Sequence, residues 1–343
     1  MKPAALLAFL PLMSQATNYT AEKATRDGFE VIRLADAFQK TEVSIVPAIG
    51  NNAFEMKVNG KNIFVFPYAT LSEFKAKPSL AGNPLLAPWA NRLDHEGFYA
   101  NGKHYALDMA HNNVRLDGRK KPIHGLLAYA SEWKVISLRG DDKAAEVTSR
   151  LEFWRYPSYM AQFPFAHTIE MIYRLRDGIL EVETVIENHA MEAMPLSIGY
   201  HPYFKLSDVP RDEWKVQVPV REQYVLSGEL VPTGEMKAIG SPIEASLKGI
   251  KLDDVYGGLI RGESGRSEFS VQGKKERIAV LFGAKYPVAV VYAPEGRDFI
   301  CFEPMTGPTN AFNLQQAGKY KDLQSVDPGE SWRESYWIHP TGF

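Results

Sequence analysis

Residues 164–190, "PFAHTIEMIYRLRDGILEVETVIENHA", decide the fold class of this chain. At their centre Asp177-Gly178 is a dipeptide that tolerates positive φ, as a tight hairpin turn requires. After the turn, residues of opposite character alternate: Leu180, Val182, Thr184 and Ile186 against Glu181, Glu183 and Glu187. A period of two indicates a strand with one face in the core. The stretch therefore predicts an antiparallel β-hairpin.

The same turn chemistry recurs along the chain. Asn59-Gly60 separates "AFEMKV" from "KNIFVF", and Asn101-Gly102 separates "GFYA" from "KHYALD". "RIAVLFGA", "PVAVVYA" and "DFICFE" are further strands, whereas "ATLSEFKA" is the one stretch that suggests a short helix. Many short strands without alternating helices favour an all-β, antiparallel sandwich over a parallel α/β sheet. We predict a single β domain over residues 17–343 with few short helices.

Composition removes several classes of function. The chain has 343 residues, 45% of them hydrophobic and 12% aromatic, so it can bury a substantial core. Its 39 basic and 41 acidic residues give a net charge of −2, which leaves no electrostatic attraction for a nucleic-acid backbone. Its sole cysteine, Cys301, excludes an internal disulfide and a thiolate metal site.

The first sixteen residues have the pattern of a signal peptide. Lys2 precedes an apolar run of about ten residues, and Ser14-Gln15-Ala16 supplies small residues at the cleavage positions. This run is too short to cross a bilayer as a helix, and no other segment is long and apolar enough. The sequence therefore predicts export to the periplasm or the medium, with no membrane span in the mature chain.

Five polar residues interrupt apolar or turn-rich stretches, and each taken singly has an ordinary structural explanation. They are Arg92 in "NPLLAPWANRL", His124 in "KPIHGLLAY", His201 in "SIGYHPYF", Asp253 in "IKLDDVYGG" and Glu303 in "DFICFEPM". His201 and Glu303 each precede a proline, so we expect each to end an apolar strand and to lie at its rim. Together, a carboxylate base and a histidine acid suit a reversible proton transfer at two oxygens. Nucleotide-binding and common hydrolase motifs are absent from the sequence.

These stretches, with "FEPMTGPTNAF", occur between residues 83 and 313 in an order that resembles the aldose 1-epimerase (galactose mutarotase) family. The resemblance implies a β-supersandwich with an open carbohydrate cleft, an aldose substrate and no cofactor or metal. By the resemblance, Glu303 is the base that takes the proton from the anomeric O1 hydroxyl, and His201 is the acid that protonates the ring O5. Arg92 and His124 match residues that bind the sugar. Asp253 matches the acidic residue that holds sugar hydroxyls, with its neighbour Asp254 as the alternative.

Two residues depart from the family pattern. Leu126 and Pro202 differ from the residues common in the best-known branch of the family, so the resemblance implies a side branch whose preferred sugar is not defined.

Other functions stay open as alternatives. A non-catalytic carbohydrate-binding module, or a lyase or glycoside hydrolase, would use the same type of sandwich. A hexose-6-phosphate epimerase would need a phosphate clamp, for which Arg119-Lys120-Lys121 is the candidate. His124 and His201 lack the short spacing of a metal site. The sequence does not define the oligomeric state.

Overall fold

The computed structural model describes residues 18–240 and 242–343, and these residues form mostly antiparallel β-strands, as predicted. Two large sheets dominate. The first has the strand order β19-β16-β21-β22-β26-β12-β11-β10-β9. Its strands are β9 (Lys134–Gly140), β10 (Ala145–Glu152), β11 (His167–Arg176), β12 (Ile179–Asn188), β16 (Lys215–Val218), β19 (Ile243–Ser246), β21 (Ser267–Gln272), β22 (Arg277–Phe282) and β26 (Ser331–Thr341).

The second large sheet has the order β18-β17-β20-β23-β24-β14-β6, and β15 also pairs with β24. Its strands are β6 (Leu85–Leu86), β14 (Gly199–Tyr200), β15 (Tyr203–Phe204), β17 (Glu222–Leu226), β18 (Pro232–Ala238), β20 (Leu252–Gly257), β23 (Val288–Ala293) and β24 (Ile300–Met305). The inner faces of the two sheets meet in the core. Phe269 of the first contacts Phe302 of the second at 5.9 Å between ring centroids, and Tyr336 contacts Tyr200 at 4.8 Å.

Smaller elements surround the two sheets. A five-stranded sheet in sequence order comprises β1 (Tyr19–Arg26), β2 (Phe29–Asp36), β3 (Thr41–Val46), β4 (Asn52–Val58) and β5 (Lys61–Asn62). Two pairs complete the strands: β7 (Gly97–Ala100) with β8 (Lys103–Ala106), and β13 (Met194–Leu196) with β25 (Gln324–Val326). The described residues hold three short α-helices: α1 (Leu71–Ala76), α2 (Pro157–Met160) and α3 (Ala311–Gln316). Single 3₁₀ turns occupy Met109–His111, Phe153–Arg155 and Arg211–Glu213.

The hairpin predicted around Asp177-Gly178 is confirmed. Both turn residues have positive φ, 52° and 73°, and Arg176 pairs with Ile179 across the turn. The apolar residues predicted to face inward are buried in β12. The turns at Asn59-Gly60 and Asn101-Gly102 are confirmed as well. The predicted helix is α1, and the Thr70 side chain caps it by accepting from the backbone N–H of Glu73.

The prediction that Glu303 ends its strand is wrong. Strand β24 continues through Pro304 to Met305, and Val290 pairs with Glu303. The Thr306 N–H donates to Ile198 O at 2.9 Å on the β14 side. Because backbone groups alternate between the two edges of a strand, the nitrogen of Pro304 faces the same side. There the neighbouring strand is itself interrupted between β14 and β15, so the missing donor is tolerated.

The predicted signal peptide, residues 1–16, lies outside the described residues, as does Thr17 at the predicted domain start, and both stay predictions. Within the described residues, no helix combines the length and the apolar character needed to cross a membrane.

Candidate functional site

All five residues singled out in the sequence line one small cleft on the outer face of the second large sheet, the face turned away from the first sheet. Its volume is about 190 Å³. The lining comprises Leu80, Asn91, Arg92, Ile123, His124, His201, Tyr203, Asp253, Val290, Tyr292 and Glu303. Sites for drug-sized ligands measure roughly 300–1,000 Å³, so this cleft suits a molecule of monosaccharide size.

His201 and Glu303 meet because the sheet register sets them opposite each other. β14 pairs Gly199 with Met305, and β15 pairs Tyr203 with Cys301. Continued across the break between β14 and β15, this register places His201 opposite Glu303, and opposite residues project from the same face. His201 Nε2 lies 3.3 Å from Glu303 Oε1, and both side chains are buried.

Aromatic rings hold the His201 imidazole in place. The Tyr203 ring stacks on it with a centroid distance of 4.6 Å and an angle of 8° between the planes. The rings of Tyr292 and His124 approach it edge-on at 6.0 Å and 5.6 Å. Three neighbouring rings leave the imidazole little freedom to rotate, which suits a group that must meet one substrate atom.

Arg92 and His124 are brought together by an unusual backbone. Asn91 and His124 have φ of 57° and 64°, a region rarely adopted by residues other than glycine. The His124 N–H donates to Asn91 O at 2.9 Å, and Arg92 forms a bridge with Ile123. A Cβ on Gly125, whose φ is 62°, would lie 2.2 Å from the carbonyl oxygen of Ala87. Conformations of this kind are common in tight turns and also cluster at active sites, where the surrounding structure holds them.

Strand alternation separates the two adjacent aspartates. Asp253 lines the cleft and lies opposite Tyr292 in β23. Asp254 points to the other face of β20, where its carboxylate accepts hydrogen bonds from Gln223 Nε2 at 2.6 Å and from the Tyr256 hydroxyl at 3.4 Å. Of the two, Asp253 is therefore the one available to a ligand in the cleft.

Three buried polar atoms of the cleft lack hydrogen-bond partners among the described residues: His124 Nδ1, His201 Nδ1 and Glu303 Oε2. An unsatisfied buried polar group costs about 1–3 kcal/mol, so these three atoms are positions where a ligand or a water molecule would supply the missing hydrogen-bond partners. A larger cleft of about 560 Å³, lined by residues including Asp36, Lys40 and Glu42, has no such atom.

Burial shifts the pKa values of the titratable side chains that line the cleft. It raises the pKa of Glu303 well above its ordinary value, and the charge of Asp253 raises it further, against the opposing effect of Arg92. It lowers the pKa of His201 to about 3, with a smaller contribution from Arg115. The pKa of His124 is also well below its usual value, through burial and then His201 and arginine charges. Burial raises the pKa of Asp253, and Arg92 opposes that rise. Opposite shifts in one buried acid–histidine pair are typical of functional sites.

Sequence reasoning missed some residues of the site. Asn91 adjoins Arg92 in the quoted motif, and Tyr292 lies on the outward face of a predicted strand, so both had a weak signal. Of the aromatic residues in the quoted stretches, Trp89 and Phe204 are buried in the core, whereas Tyr203 lines the cleft. Within residues 18–240 and 242–343, no group of three or more His, Cys, Asp or Glu side chains is placed to hold a metal ion.

Comparison with known proteins gives a consistent result. A family model described as aldose 1-epimerase matches residues 30–339. A galactose mutarotase-like protein from Clostridium acetobutylicum superposes with a TM-score of 0.82 at 20% identity, over 95% of this chain and 99% of that one. The galactose 1-epimerase of Lactobacillus acidophilus NCFM gives 0.72 at 14% identity, over 96% and 100%. The uncharacterized protein YphB of Escherichia coli (strain K12) is 23% identical over 259 residues, 72% of this chain and 79% of that protein. At these identities the structural likenesses show a shared fold.

Proposed function

Because this chain belongs to the aldose 1-epimerase family, we propose that it interconverts the α and β anomers of a free aldose by opening and closing the sugar ring. One observation carries the proposal: a buried histidine–glutamate pair, 3.3 Å apart, lines a cleft of monosaccharide size. Anomer exchange needs one proton removed from a sugar oxygen and one delivered to another, which is what such a pair can do.

In the proposed reaction Glu303 removes the proton from the O1 hydroxyl while His201 delivers a proton to the ring oxygen O5. The C1–O5 bond breaks as the C1–O1 bond becomes a carbonyl. The open-chain aldehyde then rotates about C1–C2, and O5 attacks the other face of C1. In this closing step O5 returns its proton to His201, and Glu303 returns its proton to O1. Both residues end in their starting states, so no other reactant is consumed.

The other cleft residues bind and orient the sugar in this proposal. Arg92 carries a fixed positive charge and donates hydrogen bonds, so it can stabilise negative charge that develops on a sugar oxygen. His124 lines the cleft and can hydrogen-bond a sugar hydroxyl, and Asp253 offers carboxylate oxygens to other hydroxyls. Tyr203, which stacks on His201 and lines the cleft, supplies an aromatic surface for the C–H face of the sugar ring.

The titration shifts predict an unusual pH profile. Because the pKa of Glu303 is raised and that of His201 is lowered, the pair holds a single proton, on Glu303, at pH values between these two pKa values. The reactive form, with the proton on His201, holds the same number of protons, so pH does not change its share. At low pH, activity falls only when the pair takes up a second proton, which binds to His201. At high pH, activity falls when the pair loses its single proton from Glu303.

We therefore expect kcat/KM not to fall when the pH is lowered from about 7 to about 5, although an ordinary histidine titrates near 6.5 in that range. Buffer-corrected initial rates at each pH would measure it. A fall in kcat/KM on acidification with a midpoint near 6.5 would contradict the assigned titration of the pair.

Polarimetry on freshly dissolved single anomers of galactose, glucose, xylose and arabinose tests the function. We expect the rotation to relax at a rate proportional to protein concentration for at least one of these aldoses. Binding of the same sugars by calorimetry, with relaxation at the buffer rate, would instead show a carbohydrate-binding module. Glucose 6-phosphate belongs in the same series, because the alternative activity predicts preference for it. Against that alternative, Lys121 Nζ is engaged by Asp94 O at 2.8 Å and by Glu229 at 2.7 Å.

A further inference from the structure

We propose that Asp117 is a positioning residue that fixes the Arg92 guanidinium for the sugar, and that it also closes the hairpin leading to His124. This inference rests on the proposed function. Arg92 Nε donates to Asp117 Oδ2 at 2.7 Å, and this is a largely buried ion pair, with 15% of the arginine and 8% of the aspartate side chain exposed.

Both oxygens of the Asp117 carboxylate are used. While Oδ2 accepts from Arg92, Oδ1 accepts from the backbone N–H groups of Arg119 at 2.8 Å and Lys121 at 2.9 Å. Burial by itself raises the pKa of Asp117, but these three hydrogen bonds outweigh it and hold the pKa below its ordinary value. The carboxylate is therefore ionised at neutral pH, and its bond to Arg92 is charge-assisted and strong.

The Asp117 turn closes a short hairpin whose far arm carries His124. Asp117 N donates to Lys121 O at 2.9 Å, and Ile123 N donates to Arg115 O at 2.9 Å. The next residue, His124, donates its N–H to Asn91 O, beside Arg92. The Asp117 carboxylate therefore makes two connections. It caps the turn at one end of the hairpin, and it binds Arg92, which packs against the other end of the hairpin.

Fixing Arg92 matters because a free arginine side chain has many rotamers, and immobilising it costs binding energy. Nη1 of Arg92 also donates to Asn91 Oδ1 at 3.2 Å. Nε and Nη1 are thereby held, while Nη2 has no acceptor among the described residues and is left for the ligand. The guanidinium is oriented before the sugar arrives.

Asp117→Asn tests this role, because the amide oxygen can still cap the turn while the carboxylate charge is lost. We expect kcat/KM to fall by about 10- to 100-fold, as when a positioning group lets a reacting centre shift. Asp141 gives a matched control: Oδ1 of Asp141 accepts from the backbone of Lys143 and Ala144, and its Oδ2 pairs with Arg139 Nε at 3.4 Å. Asp141→Asn should change kcat/KM by less than about twofold, because its arginine lies outside the cleft.

The decisive measurement is a double-mutant cycle with Arg92→Ala. If Asp117 acts through Arg92, Asp117→Asn in the Arg92→Ala background should cost less than about threefold. An equal loss in both backgrounds would show that Asp117 only caps its turn and would overturn the proposal. Should Asp117→Asn not fold, Asp117→Ser serves instead, because a serine hydroxyl can cap the same turn. A wild-type protein without mutarotation rejects the proposed function, whereas an active wild type and an equally active Asp117→Asn reject only this inference.

Discussion

Glu303→Gln is expected to lower kcat for anomer exchange by about 10²–10⁴-fold, the usual contribution of a general base. Glutamine keeps the size of the side chain and its hydrogen bonding, but it cannot accept a proton at neutral pH. The affinity for the sugar should stay within a fewfold of wild type, since Arg92, His124 and Asp253 are unchanged. Polarimetry gives the rate, and calorimetry with the same sugar gives the dissociation constant.

Glu183→Gln is the matched control. Glu183 is also a buried strand glutamate, but it lies in β12 of the other sheet and pairs with Arg333. It should keep its kcat even if its melting temperature falls. In contrast, Glu303→Gln should melt no lower than wild type, because it removes a carboxyl that burial penalises. A Glu303→Gln protein that turns over at the wild-type rate would remove Glu303 from the mechanism.

His201→Gln is expected to reduce kcat by a similar factor of about 10²–10⁴. The glutamine amide can occupy the space beside Glu303 and Tyr203, but it cannot deliver a proton to O5. Because the two residues act as one unit, the double variant with Glu303→Gln should be little slower than the slower single variant. Initial rates of the four proteins at one pH measure both the loss and the non-additivity.

The control for this series is His189→Gln, whose histidine makes a single side-chain hydrogen bond, to Thr168 on the first sheet. It should retain wild-type turnover. If His201→Gln retained more than about a tenth of the wild-type kcat, the loss would fall below the roughly 10²-fold minimum for an acid catalyst. Losses that multiply in the double variant would show that His201 and Glu303 act independently.

Local features of the fold could be predicted from the sequence, because turn residues and alternation act over a few neighbours. Asp177-Gly178 predicted both the turn and the faces of its two strands. The pairing of β12 with β26, Glu181 opposite Trp337, joins residues more than 150 positions apart and has no local signal. Pro304 was misleading for a related reason: whether its missing N–H matters depends on a neighbouring strand that the local sequence does not reveal.

The residues of the site could be predicted individually, but their convergence followed only from the family resemblance. Nothing local in "SIGYHPYF" and "DFICFEPM" indicates that one register places His201 opposite Glu303. The choice between Asp253 and Asp254 needed the strand's orientation. Asp117 was missed because the stretch "LDGRKK" drew attention to its basic residues as a phosphate clamp. The Asp117-Gly118 dipeptide in the same stretch marks the turn that the Asp117 carboxylate caps.

The most direct measurement of the central claim compares a free aldose with its methyl glycoside on the same protein by polarimetry. If Glu303 must take a proton from O1 as the ring opens, the free anomer should equilibrate at a rate proportional to protein concentration. The methyl glycoside, which has no O1 proton, should keep its rotation unchanged. Equilibration of the free sugar at the buffer rate would contradict this account, and so would a changing rotation of the methyl glycoside, which would indicate cleavage of the glycosidic bond.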